Sequence, residues 1–119
     1  QSMKKLVFLS ILISSGAWAD CEDLNKSADE DGIHYGTKYA FTVKGEKGYR
    51  AYFHSAPSNK CKYAKTFLIP KDSVIGYQEF LNEKQNWIYV MYIANDGTDT
   101  SGWIKEKDLK ISGRISPID

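Results

Sequence analysis

The stretch WIYVMYIANDGTDTSGWIKEKDL, residues 87–109, decides how this chain is read. Its first seven residues are aromatic, β-branched or otherwise apolar and contain neither glycine nor proline, a composition that favours a strand. Successive strand side chains point to opposite faces, so Ile88, Val90 and Tyr92 form one set and Trp87, Tyr89, Met91 and Ile93 the other. Both sets are apolar and both faces need cover. That suits a barrel whose outer side is lapped by a loop or by the N-terminal arm. Asp96-Gly97 is a strong turn dipeptide and predicts a hairpin into GWIK, residues 102–105. EKDL, residues 106–109, then predicts a single 3₁₀ turn, and KIS, residues 110–112, a last short strand.

Outward from this stretch the strand character continues. KYAFTVK (38–44) and YRAYFHSAP (49–57) flank GEKG, which reads as a hairpin connection. SNKCKYAKT (58–66) reads as a polar loop carrying Cys61. FLIP (67–70) is a short apolar run, KDSVIGYQEF (71–80) continues into a strand, and LNEKQN (81–86) reads as a loop. Residues 20–36 are polar, with one short helical turn predicted around residues 22–28. No helix-period stretch of ten or more residues follows residue 19. Short strands punctuated by turns argue for a small all-β barrel or sandwich.

The ends set the compartment. Gln1 and Ser2 precede Met3 and read as the scar of a removed tag. Lys4 and Lys5 lead the apolar run LVFLSILISSGA (6–17), and AWA (17–19) offers the small residues of a cleavage site. Residues 3–19 therefore read as a secretory signal peptide, too short to span a bilayer that needs about 20 apolar residues. Asp20 directly before Cys21 argues against a lipid anchor. The expected location is the periplasm or the exterior of a bacterium. In an oxidising compartment Cys21 and Cys61 are expected to bond to each other, closing a loop worth roughly 4 kcal/mol in chain entropy.

Charge excludes more than it proposes. The chain carries 16 Lys+Arg against 15 Asp+Glu. The lysines are scattered and no arginine cluster marks a nucleic-acid surface. The asymmetry lies in DCEDLNKSADED (20–31), which holds Asp20, Glu22, Asp23, Asp29, Glu30 and Asp31 against Lys26 alone. It reads first as a solvated acidic arm. Catalytic constellations are not legible. His54 and Ser55 are adjacent on a strand and point to opposite faces, a poor dyad; His34 lies in the polar arm. Both cysteines are committed to the bridge. NDGTD (95–99) lacks the alternating acids and closing glutamate of a calcium loop, and no glycine-rich phosphate cradle follows a strand. No enzyme activity, metal or cofactor is expected.

YFHSAPSNKC (52–61), FLIPKDSV (67–74), NWIYVMYI (86–93) and GWIKEKDL (102–109) together resemble a bacterial SH3-like domain. The pairing of Trp-x-x-Val-x-Tyr with Gly-Trp-Ile is the most specific part, and the resemblance spans about residues 49–111. It implies a small five-stranded barrel over residues 49–112. An acidic N-terminal arm and first strand (20–48) would be tied on by the disulfide, and a C-terminal tail (113–119) would follow. Domains of this type usually bind rather than catalyse. The implied groove would be flanked by Tyr52, Tyr63, Tyr77, Trp87 and Tyr89, aromatic residues that combine contact area with polar tips. The expected partner is a cell-wall peptide or an envelope protein, with no nucleic acid and no stable membrane insertion. The alternative is a stand-alone immunity or inhibitor protein that caps a periplasm-acting toxin or cell-wall hydrolase. In that case the acidic arm would speed docking to a basic surface.

Overall fold

Trp87 and Ile88 are adjacent, both fully buried, and belong to different cores. That split organises the molecule, a computed structural model that describes residues 20–115. The expected tag scar and signal peptide, and residues 116–119 of the tail, lie outside the described residues.

Residues 20–31 are α-helical (α1). Seven strands follow: β1 (Ile33–Val43), β2 (Ala51–His54), β3 (Lys62–Leu68), β4 (Ser73–Asn82), β5 (Gln85–Ile93), β6 (Asp99–Lys105) and β7 (Leu109–Ile115). Short 3₁₀ turns at Asn59–Cys61 and Glu106–Asp108 precede β3 and β7. All strands join one antiparallel sheet in the order β3-β2-β6-β5-β4-β1-β7.

One face of every strand feeds a single core: Phe41, Val43, Ala51, Phe53, Leu68, Val74, Ile88, Val90, Ile104 and Leu109. Each is at most 4 % exposed. Strands at opposite edges of the sheet contribute Leu68 and Leu109, and α1 lies on the other face. The sheet must therefore roll over itself to exclude water from its inner side. Gly102 allows the tight approach of β6 to β2, since a Cβ there would sit 3.0 Å from both the His54 carbonyl oxygen and Phe53 Cδ1.

The outer face of β5 and β6 carries Trp87, Tyr89 and Trp103, and α1 covers it. Ala28 packs on the two indoles. Trp103 Nε1 donates to Asn25 Oδ1 at 2.8 Å, and Gln78 Nε2 donates to Asp29 Oδ1 at 3.0 Å. Cys21 bonds to Cys61 and staples the helix to the arch before β3. The bridge and the two-sided strand are as expected.

Other details differ. The described residues hold seven strands in one sheet of open order: β1 lies in the stretch expected to carry a first strand, and six strands rather than five begin within residues 49–112. Residues 20–31 form a helix of several turns because Cys21, Leu24, Asn25 and Ala28 fall on one helical stripe. The hairpin expected across GEKG is absent: β1 lies between β4 and β7 and is not paired with β2. The connection instead crosses an end of the roll, with Lys44 N–H donating to the Asp108 carbonyl at 2.8 Å. Residues 62–66, read as loop, begin the edge strand β3; they alternate little because Lys62, Tyr63, Ala64 and Lys65 are all exposed. The loop expected over residues 81–86 tightens to a two-residue turn in which Glu83 and Lys84 both take positive φ, 55° and 60°. β7 runs on through Gly113 to Ile115, where a tail was expected, because β1 extends far enough to pair with it. The hairpin at Asp96-Gly97 forms, with Gly97 at φ 90° and the Asp96 carboxylate accepting from Thr98 N–H at 3.0 Å.

Candidate binding cleft

The five aromatic residues implicated by the resemblance do not converge. Trp87 is fully buried; its ring meets His54 edge-on at 4.7 Å, and its Nε1 donates to the Asn82 carbonyl at 3.1 Å. Tyr89 is half-buried against Trp103, 5.4 Å between ring centroids, under α1. Tyr52 pairs with Phe67 on the β2–β3 side of the sheet, with Lys62 Nζ 4.6 Å from its ring. Tyr77 lies where β4 bulges, its hydroxyl 3.8 Å from Met91 Sδ. Tyr63 is 44 % exposed and lines a cleft of about 690 Å³ beside the disulfide, together with Glu22, Asn25, Ser55, Lys60 and Lys62. The other four do not line this cleft.

His54 is frame. Its Nδ1 lies 3.1 Å from the Trp103 carbonyl, which only accepts, so Nδ1 carries the proton. Burial holds the imidazole pKa below its ordinary value, and the neighbouring Lys105 and Lys62 charges act in the same direction. The arch that follows is clamped by Glu83, which accepts from the Ser58 hydroxyl at 2.5 Å, from Asn59 N–H at 2.9 Å and from Asn59 Nδ2 at 3.0 Å. These bonds hold the Glu83 carboxyl below the usual range, the Ser58 bond most of all.

A different constellation sits at the mouth of the roll. Inner-face positions of β1 recur with period two, so Tyr35, Tyr39 and Phe41 form an aromatic ladder leading out of the core. Tyr35 and Tyr39 meet edge-to-face at 5.1 Å, Tyr39 and Phe41 at 6.4 Å. They form one wall of an open cleft of about 670 Å³, completed by Glu79 of β4, Gln85 and Asn86 of β5, Glu106 and Lys107 of the second 3₁₀ turn, Leu109 and Ile111 of β7, and Lys44. Tyr35 donates its hydroxyl to Glu79 Oε1 at 2.8 Å. Asn86 Nδ2 donates to Glu79 Oε2 at 2.9 Å and reaches Glu106 Oε2 at 3.4 Å, so two carboxylates flank one amide nitrogen. Burial pushes the Tyr35 phenol well up from its ordinary value, helped by the Glu79 hydrogen bond and by the charges of Glu79 and Glu106. Behind the cleft, Tyr49 donates to Asp108, and that bond is the main reason its pKa is pushed up to about 12.

A shallower cleft of about 460 Å³ adjoins the first and shares Glu79 and Asn86 with it. It is otherwise lined by Asp31, Gly32, Ile33, Phe80 and Leu81. Sequence reasoning missed this site because residues 20–36 were read as arm. The alternation Tyr35, Thr37, Tyr39, Phe41, Val43 was the available signal. Nothing in the sequence brings Glu106 next to Glu79; the β4–β5–β6 ladders do.

Among the described residues no group of three or more His, Cys, Asp and Glu could hold a metal ion, and no helix is long and apolar enough to cross a membrane. Compared with family models, with curated proteins and with solved structures, the chain has no match. Chemically, the mouth offers ring faces, paired carboxylates and an amide donor on a frame of paired strands. Such groups can accept and donate hydrogen bonds and stack against a planar group.

Proposed function

We propose that this protein is a non-catalytic binding module of SH3-like type, acting in the periplasm or outside a bacterial cell on a cell-wall peptide or an envelope protein. The observation that carries the reading is the open cleft at the mouth of the roll, with its aromatic ladder and hydrogen-bonded Glu79–Asn86–Glu106 floor. The disulfide supports an oxidising compartment. The binding surface is accordingly assigned to Tyr35, Tyr39, Glu79, Asn86, Glu106 and Ile111, rather than to a groove around Trp87. The test is retention of envelope components. The purified protein is sedimented with peptidoglycan sacculi and, separately, used to capture partners from a periplasmic extract. Ile111 lines the cleft and is 63 % exposed, so the longer, cationic side chain of Ile111→Arg blocks the mouth without touching the core. Binding that is lost in this variant supports the assignment; binding that survives it refutes the assignment.

One observation favours a second reading, an inhibitor or immunity protein that caps a basic toxin or cell-wall hydrolase. All six carboxylates of α1 are exposed on a helix fixed at one end by a covalent bridge, which makes a rigid acidic face. Such a face accelerates encounter with a basic surface, and the rate falls steeply with salt. A one-to-one complex with a basic cell-wall hydrolase, weakened by Glu22→Lys together with Glu30→Lys, would decide for this reading.

A further inference from the structure

We propose that the cleft at the mouth of the roll is a receptor for the cationic side chain of an arginine or lysine presented by a protein partner. The inference rests on the binding-module reading and names what that site takes.

Four features carry it. Among the described residues the donors that reach Glu79 and Glu106 are neutral, the Tyr35 hydroxyl and the Asn86 amide, and no cationic side chain bonds to either carboxylate in the open cleft. Paired carboxylates beside tyrosine rings suit a guanidinium, which bonds through its planar fork while its face lies on an aromatic ring. The adjoining cleft tips the charge balance: it contains Asp31, at the C-terminal end of α1, where the helix dipole adds its own negative charge, so the two clefts together present three carboxylates against Lys44 and Lys107. Large aliphatic residues border both clefts and are left in water, Ile111 at 63 %, Ile33 at 65 % and Leu81 at 71 % exposure. A small cation would leave them wet. A protein carrying a basic side chain amid apolar neighbours would cover them, as a hot-spot residue and its surround do.

A bound metal ion fits less well. The group between the two carboxylates is an amide N–H donor, whereas a hard cation needs oxygen lone pairs on all sides. Lys44 and Lys107 also line the cleft. On this proposal they compete with the incoming cation, which gives the test a variant of opposite sign.

The test titrates ¹⁵N-labelled protein with three capped amino acids: acetyl-arginine-amide, its neutral isostere acetyl-citrulline-amide, and acetyl-glutamate-amide. The arginine probe should give saturable shifts at Tyr35, Glu79, Asn86 and Glu106, and citrulline and glutamate should not. Glu79→Gln with Glu106→Gln should weaken the arginine probe by about tenfold or more, since hydrogen bonds to charged groups are being lost. A thermal melt checks that the variant is folded. Lys44→Gln with Lys107→Gln should strengthen binding. Equal binding of citrulline, tighter binding of glutamate, or weaker arginine binding on loss of the two lysines overturns the proposal. No response to any probe, while Ile111→Arg still abolishes capture of an envelope component, overturns the cation receptor and leaves the binding cleft standing. No response together with capture indifferent to Ile111→Arg removes both.

Discussion

Reducing the Cys21–Cys61 bridge should both lower the melting temperature and uncover two tryptophans. The bridge spans 40 residues of sequence, and the chain-entropy relation gives such a loop about 4 kcal/mol. For a domain of this size each kcal/mol moves the midpoint by about 4–8 °C, so the expected loss is about 15–30 °C. The local consequence follows from what the bridge holds. Residues 20–31 are too few to stay helical alone in water, where isolated helices shorter than about 12–15 residues are marginal. Without the bridge, α1 keeps the packing of Ala28 on the indoles and the hydrogen bonds Asn25–Trp103 and Asp29–Gln78. Trp87 and Trp103 are both fully buried, so detachment of α1 brings water to their outer faces. The assay is a thermal melt with tryptophan emission in a Trp18→Phe background, with and without reductant, repeated on Cys21→Ser/Cys61→Ser. The expected result is a large downward shift preceded by red-shifted emission below the midpoint. A midpoint moved by less than about 3 °C with unchanged emission would refute the reasoning, because α1 would then be held by packing alone.

Three further outcomes can be checked. His54 has a lowered pKa in the folded state, so the unfolded chain binds more protons between the folded and unfolded values. Stability should therefore fall as pH drops below about 6.5, and His54→Phe should flatten that dependence in melts from pH 8 to 5. Gly76→Ala would put a Cβ 2.4 Å from Phe41 Cε2 and 3.2 Å from Ile88 Cγ2, so the Phe41 ring would have to shift. Urea unfolding should show a loss of about 1–3 kcal/mol, and wild-type stability would mean the roll is looser than its packing implies. Lys84 sits at φ 60° in a two-residue hairpin turn that favours glycine, so Lys84→Gly should stabilise by up to about 1 kcal/mol in the same assay; destabilisation would argue against that turn.

How far the sequence could be read depended on whether a signal was local. The two-faced pattern of residues 87–93 announced the need for cover on both sides, though not a second core, and Ile88/Val90 against Trp87/Tyr89 divide as that pattern requires. The turn at Asp96-Gly97, the 3₁₀ turn before the last strand and the Cys21–Cys61 pairing were equally legible, since dihedral preference and cysteine count need no tertiary context. The helix was half-legible. Its acids read as a solvated arm, and the stripe Cys21, Leu24, Asn25, Ala28 means little until a surface exists for it to cover. Strand neighbours were not legible beyond the hairpin at Asp96-Gly97. Lys38–Val43 and Ala51–His54 follow one another closely, yet β1 pairs with β4 and β7, because the roll buries Phe41 and Val43 only if β1 closes over Val74 and Leu109.

What the sequence determined by itself was therefore the alternation of its strands, the places where the chain turns and the covalent tie, all set by residue type over a few neighbours. Tertiary structure alone decided which aromatic residues are sealed inside and which line an open cleft. Trp87, the obvious candidate, is sealed under α1, while Tyr35 and Tyr39 reach the open mouth. It also decided that Glu79, Asn86 and Glu106 meet. Their proximity is a product of antiparallel register, and register is fixed by which face the whole sheet must bury.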